Sequence, residues 1–205
     1  WGGLPLEGIL ADLGVEAADQ AVGTFMTGAD GYYSSVPVEE LYRPTWLVWK
    51  MNGVDLPADH GAPARLLIPG LYGTKNLKWI TELDFSAQLQ LGFWEQQGWS
   101  NTAEYNANTL ILSPEDDATF ETGTIRLLGS AFAGSDPADL VEVSTDGGDT
   151  WNEAVIDYAP GPDVWTLWHL DWQPAGPGDY RVQVRVTTAS GAVSTEQLEW
   201  LDELA

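Results

Sequence analysis

The chain has 205 residues, 31 of them Asp or Glu and only eight Lys or Arg, for a formal net charge of −23 at pH 7. That balance excludes a nucleic-acid binder, which needs basic patches for a phosphate backbone, and disfavours anionic membranes. A 44% hydrophobic content with 11 Trp can fill packed cores, the absence of cysteine rules out disulfides, and no apolar run approaches the roughly 20 residues that cross a bilayer.

Pro5 followed by LEGILADLGV reads as a short amphipathic helix, with proline in the first turn and Gly14 near its end. TFMT at 24–27, TWLVWKMN at 45–52, RLLIP at 65–69 and KWITELDF at 78–85 are compact apolar or β-branched runs bounded by Gly, Pro and Asp. They read as strands of an α+β domain over residues 1–86. Composition shifts across 87–108, a connector. From 109 to 205 the pattern is all-β, with seven strand-like runs: TLILS (109–113), TIRLLGSAFA (124–133), LVEVST (140–145), NEAVID (152–157), VWTLWHLDW (164–172), YRVQVRVTT (180–188) and AVSTEQLEW (192–200). Seven short strands separated by turns predict a sandwich. In YRVQVRVTT, Tyr180, Val182, Val184 and Val186 alternate with Arg181, Gln183 and Arg185, which places the two arginines on a solvated or interface face.

Several features read as structure rather than chemistry. STDGGDTW at 144–151 has the form of a sialidase-like propeller hairpin, but it occurs once, so it is taken as a turn built on Asp146-Gly147-Gly148. Trp165, Trp168 and Trp172 are core or interface aromatics, and His169 is a surface or satisfied side chain. Asp116, Asp117 and Asp146 are solvated carboxylates. The acid excess, with lysine reduced to three copies, suits a surface hydrated in concentrated salt, where the screening length falls to about 3 Å at 1 M. A halophilic source is the leading expectation, an ordinary acidic protein the other.

The chemistry concentrates in MNGVDLPADHGAPARLLIPGLYGTKNLKW, residues 51–79. Three of the eight Lys and Arg fall between positions 65 and 78, close to one of only two histidines. Arg65 offers a planar fork for phosphate or carboxylate, Lys75 and Lys78 are mobile point charges, and glycine turns add backbone N–H groups. Pairing of these cations with surface carboxylates is the competing reading, and composition leaves both open.

This run resembles the sulfite oxidase family of molybdenum-cofactor oxidoreductases, in which a similar segment wraps the phosphate end of molybdopterin. WGGLPLEGILADLGV, TGADGYYSSVPVEELYRP (27–44) and GFWEQQGWS (92–100) resemble its other segments in the same order. The resemblance implies a partial α+β molybdenum-cofactor-binding domain followed by an all-β, immunoglobulin-like dimerisation sandwich. It implies molybdenum-molybdopterin as cofactor, with His60 and Arg65 hydrogen-bonding it and Lys78 reaching its phosphate. Asn76 and Leu77 would contribute backbone atoms, Lys75 added charge and Thr27 a cofactor contact, with Asp30 as an active-site acid. It further implies oxygen-atom transfer to or from a small oxyanion or sulfoxide, electron transfer to a haem protein or membrane partner, and a homodimer formed through the C-terminal domain. An extracytoplasmic location, periplasmic or at the cell surface, with anchoring by a segment outside this chain, follows by analogy. In the family a cysteine thiolate binds molybdenum, and this chain has none, so it is expected to be a fragment and inactive by itself. The alternative is a non-catalytic binding or assembly module that uses the sandwich.

Overall fold

The computed structural model describes residues 1–121 and 123–194 and divides into two compact units, Trp1–Glu104 and Tyr105–Ala205. The expected fold class, an α+β unit followed by an all-β sandwich, is the observed one.

In the first unit β1 (Gly2–Pro5) pairs antiparallel with β4 (Trp46–Met51), which also pairs with β5 (Val54–Asp55) and β6 (Arg65–Leu67). A second sheet has the order β3-β2-β7, from β2 (Gly23–Gly28), β3 (Tyr33–Pro37) and β7 (Ile80–Ser86). Two short helices, α1 (Leu6–Asp12) and α2 (Glu39–Tyr42), complete it. With only seven residues, α1 depends on tertiary packing, supplied by Leu6 and Leu10 against a core of Met26, Val36, Leu41, Leu66, Ile68, Leu71 and Leu77.

Two strands, β1 and β3, have no clear pattern in the sequence. Gly3 sits where an added Cβ would lie 2.1 Å from the Leu47 carbonyl oxygen, so close approach to β4 requires glycine and leaves no hydrophobic signal. In β3, Ser34, Ser35 and Val36 are all buried, so alternation is lost. The connector at 87–108 also differs from a free linker. Glu95 and Ala103 are buried, and Leu71 bridges Glu104, so this stretch belongs to the first unit as far as Glu104.

The second unit packs two sheets face to face. One has the order β11-β10-β14, formed by β10 (Ala138–Ser144), β11 (Asn152–Glu153) and β14 (Gln183–Thr188). The other has the order β12-β13-β9-β8, formed by β8 (Asn108–Ser113), β9 (Ile125–Phe132), β12 (Val155–Tyr158) and β13 (Thr166–Trp172). Leu127, Ala131, Val141, Val143, Ala154, Trp168 and Val186 form the core between them. The run NEAVID, predicted as one strand, serves both sheets. Buried Ala154 donates its N–H to the Val141 carbonyl at the crossing point, leaving β11 on β10 and β12 on β13. Of the last predicted strand, residues 192–194 are described and run beside β14, with Val193 bridged to Thr187 and the Ser194 N–H donated to the Val186 carbonyl; residues 195–200 lie outside the described residues.

Trp168 is fully buried and donates its indole N–H to the Thr109 hydroxyl at 3.2 Å, while Trp165 is exposed and stacks on Phe132. A Cβ on Gly129 would lie 2.0 Å from the Trp168 ring and 2.3 Å from the Leu110 carbonyl oxygen. At the 144–151 hairpin, Asp146 accepts hydrogen bonds from the Thr150 hydroxyl, the Thr150 N–H and the Ser144 hydroxyl. The Thr150 hydroxyl above all, then its N–H and Ser144, holds the Asp146 carboxyl down at about 2.

Gly129→Ala is expected to destabilise the sandwich by on the order of 3 kcal/mol through overpacking, read from urea unfolding. Because the folded pKa of Asp146 lies below its unfolded value, the hairpin's contribution is complete above the ordinary carboxylate range and is lost as pH falls through about 2. The Asp146 carboxyl carbon resonance should titrate near that value, and Thr150→Val should move the midpoint upward.

Candidate functional site

Residues Ala58–His60 form a single 3-10 turn closed by Gly61 at φ 110°, a left-handed position that suits glycine. A Cβ there would lie 3.0 Å from the Lys78 Cβ and 3.2 Å from the Arg65 Cβ, so both basic side chains depart from either side of this glycine. Three successive carbonyls of the turn are each taken by a side-chain donor. The Trp79 indole N–H donates to Ala58 O at 2.8 Å, Lys78 Nζ to Asp59 O at 2.8 Å, and Arg65 Nη1 to His60 O at 3.1 Å. The imidazole, guanidinium and ammonium are therefore gathered around one turn. The His60 ring is partly exposed, its Nε2 3.9 Å from an Asp59 carboxylate oxygen.

Arg65 is the buried member of this group. Its Nη2 donates to Asn76 O at 3.0 Å, its guanidinium carbon lies 5.3 Å from the centre of the Trp1 ring, and its Nε is buried without a partner. Burial lowers its pKa, yet a guanidinium stays protonated at neutral pH. Among the described residues neither Arg65 nor Lys78 pairs with a carboxylate. In a chain with nearly four acidic groups for each basic one, that is a selective arrangement.

Lys78 also lines an open cavity of about 340 Å³. Trp79 and Trp94 form aromatic walls, Tyr32, Thr74 and Asn76 face it, and Asp30 stands at its edge. The Tyr32 hydroxyl donates to Thr74 O at 2.7 Å. Burial, and next the Glu95 carboxylate, push the Tyr32 phenol up to about 12, so it keeps its proton at neutral pH.

The remaining predicted residues have other duties. Lys75 does not offer added charge to a ligand. Its ammonium is buried, 2.7 Å from Glu95 Oε1 and 2.8 Å from Ser35 O, with both side chains at most 1% exposed. Leu77 points into the core, and its N–H and carbonyl are used by Lys75 O and Leu66 N. Asn76 faces the cavity, but its amide accepts from Ile68 N and donates to the Leu71 and Tyr72 carbonyls. Its own N–H bonds Gly73 O and its carbonyl accepts from Arg65, so the backbone atoms of 76 and 77 already hold internal hydrogen bonds. Asp30 accepts the Tyr32 N–H at 3.0 Å and shapes the turn from Gly28. Thr27 lies in β2 between Tyr33 and Glu82, away from the cavity lining.

Sequence reasoning missed Tyr32, Trp79 and Trp94. They come from three distant segments, and aromatics in GYY, KW and GFWEQQGW carry no periodicity. Gly92 was the available hint: a Cβ there would lie 2.2 Å from Glu95 Oε2, so the segment needs glycine to seat that carboxylate. Among the described residues no three His, Asp or Glu side chains converge as a metal would require.

Basic side chains without carboxylate partners around one turn, one of them lining an aromatic-walled cavity, on an α+β unit followed by a β-sandwich, suit a chain that holds an anionic organic cofactor and carries an assembly domain. Comparison with known proteins agrees. Residues 1–94 match the family model described as oxidoreductase molybdopterin binding domain, and residues 100–200 the one described as Mo-co oxidoreductase dimerisation domain. The chain belongs to the sulfite oxidase family of molybdopterin-dependent oxidoreductases, whose cofactor is molybdenum-molybdopterin. It is 28% identical over 204 residues to mitochondrial sulfite oxidase of Mus musculus, covering 84% of this chain and 37% of that protein. To nitrate reductase [NADH] 2 of Arabidopsis thaliana it is 26% identical, covering 83% and 24%. The crystal structure of the sulfane dehydrogenase SoxCD from Paracoccus pantotrophus superposes with a TM-score of 0.79 at 27% identity, over 93% of this chain and 52% of that one. The chain thus spans well under half the length of these curated relatives.

Removing one partner of the buried Lys75–Glu95 pair leaves an uncompensated charge. Lys75→Ala should cost about 3–5 kcal/mol in denaturant unfolding, and Lys75→Met with Glu95→Leu considerably less.

Proposed function

We propose that this chain forms part of a molybdenum-cofactor-dependent oxidoreductase of sulfite oxidase type, and that its share of the work is to hold the phosphate end of the pterin. The observation that carries this reading is the pair of cations, Arg65 and Lys78, held at one turn without carboxylate partners among the described residues of so acidic a chain, with Lys78 lining a cavity. Their present partners are neutral carbonyls, and Arg65 keeps one buried N–H unspent. A dianionic phosphate suits such a site, because charge-assisted hydrogen bonds are about twice as strong as neutral ones. The metal end of the group finds no thiolate ligand here, since the chain has no cysteine. The residues present therefore fit the organic, anionic end of the cofactor.

In this reading Lys78 and Arg65 neutralise the phosphate and His60 orients it through a ring N–H. Asn76 and Leu77 act as positioning residues, with Leu77 anchored in the core so that Lys78 faces outward. Trp79 and Trp94 keep water from the cavity, Tyr32 holds a proton at its phenolic oxygen, and Asp30 and Thr27 shape the strand-turn that carries Tyr32. Lys75 serves the scaffold. The bound group supplies two-electron oxygen-atom transfer, with a small oxyanion or sulfoxide as reaction partner and electrons passing to a haem protein or membrane partner. The names of relatives that act on sulfite and sulfane favour a sulfur substrate. Homodimerisation through the second unit, an extracytoplasmic location and a halophilic source belong to the same proposal. The alternative of a non-catalytic assembly module is not favoured, because it gives the first unit's unpaired cations no purpose.

The test uses the complete gene product made in a molybdopterin-producing host, assayed for pterin fluorescence and molybdenum. Lys78→Ala and Arg65→Ala should each weaken cofactor retention by about tenfold or more, with circular dichroism unchanged. Full pterin content in both variants would overturn the assignment.

A further inference from the structure

We infer that Glu95 and Ser34 are positioning residues for Tyr32: the buried Glu95 carboxylate fixes the Tyr32 phenol at the cavity wall, by one route through Lys75 and Thr74 and by another through the Ser34 hydroxyl. This rests on the reading of that cavity as the cofactor's site, because Tyr32 faces it. The contacts themselves lie within the first unit, so they can be tested without cofactor.

The first route is a run of short contacts. Glu95 Oε1 lies 2.7 Å from Lys75 Nζ, which also donates to Ser35 O at 2.8 Å. Lys75 ends the 3-10 turn Gly73–Lys75, and the carbonyl just before it, Thr74 O, accepts the Tyr32 hydroxyl at 2.7 Å. A displaced carboxylate therefore displaces the acceptor that directs the phenol proton. The segment that carries Glu95 also holds the ring, since Phe93 packs against Tyr32 with 6.2 Å between ring centres.

The second route starts from the other carboxylate oxygen. Glu95 Oε2 is buried with no hydrogen-bond partner among the described residues, and so is the Ser34 hydroxyl. Leaving a charged oxygen without a donor in the interior is costly, and two such groups side by side are each other's remedy. They are neighbours: a Cβ on Gly92 would lie 2.2 Å from Glu95 Oε2 and 3.0 Å from the Ser34 Cα. A serine hydroxyl has one proton to give, and a charged acceptor makes the stronger bond, so Ser34 turns toward Glu95 and stands as a dipole between carboxylate and phenol. Its influence reaches the phenol. Burial first and the Glu95 carboxylate next push Tyr32 up to about 12, with a smaller push from Asp30, while the Ser34 hydroxyl draws it down. The charged groups around the phenol are the buried Glu95 and Lys75, and Asp30 and Lys78 at the cavity.

The test follows the NMR signal of the Tyr32 phenol carbon against pH in the complete gene product, assigned by its loss in Tyr32→Phe. In the wild type it should titrate at about 12. Glu95→Gln, which keeps the shape and removes the charge, should strengthen the phenol as an acid by about tenfold or more, and Ser34→Ala should weaken it further. Opposite signs from two small substitutions separate positioning from a loosened core, because added solvent would lower both. Should Glu95→Gln fold poorly with Lys75 left charged, Lys75→Met with Glu95→Gln removes the carboxylate without stranding a charge and should also shift the phenol downward. A titration that loss of the Glu95 charge leaves in place, or one that Ser34→Ala moves downward, would overturn the inference. Cofactor content is read separately: a wild type that holds no pterin sinks the proposed function and leaves these shifts as they are.

Discussion

The candidate site depends on one buried ion pair. Lys75 and Glu95 meet at 2.7 Å with almost no solvent access, and the Lys75 ammonium also bonds the carbonyl of Ser35 in β3. Desolvating two charges costs several kcal/mol each, so the pair is maintained by its geometry rather than by Coulomb attraction alone. That geometry ties three segments together. Lys75 fixes the start of the run Asn76–Trp79, Glu95 fixes Trp94 beside it, and Ser35 follows closely on Tyr32. Edge contacts from Phe93 to Tyr33 and to Trp94 extend the same seam. The cavity is the space left where these segments meet.

A second constraint is the spending of scarce cations. Arg126 and Arg185 each pair with a carboxylate on a neighbouring strand, and Arg185 also covers Trp151 at 4.3 Å. Lys75 is matched one to one. Arg65 and Lys78, by contrast, are steered onto the carbonyls of the 58–60 turn, which fixes their positions without cancelling their charge. Neutral acceptors hold a cation in place and leave its field available, so this turn is the chemical centre of the first unit.

The second unit solves a different problem. Its sandwich is closed by a run that leaves one sheet and joins the other at Ala154, and by Trp168 packed where Gly129 leaves room for the ring. The STDGGDTW hairpin is a turn held by Asp146, Ser144 and Thr150, as its single occurrence suggests.

By itself the sequence determined the two-part architecture, most strands and the segment that carries the chemistry. Those properties are local: periodicity, turn residues and a run of basic side chains are written in neighbouring positions. It placed His60, Arg65 and Lys78 in one short segment, and the structure closes that segment around the turn at Gly61. The tertiary structure alone decided which cations remain open. Lys75 and Lys78 are indistinguishable in TKNLKW, and only the arrival of Glu95 from twenty residues downstream makes one a scaffold element and leaves the other at the cavity. Tyr32, Trp79 and Trp94 were likewise invisible as a group, since a shared cavity wall is a property of packing between distant segments and leaves no periodic trace in the chain.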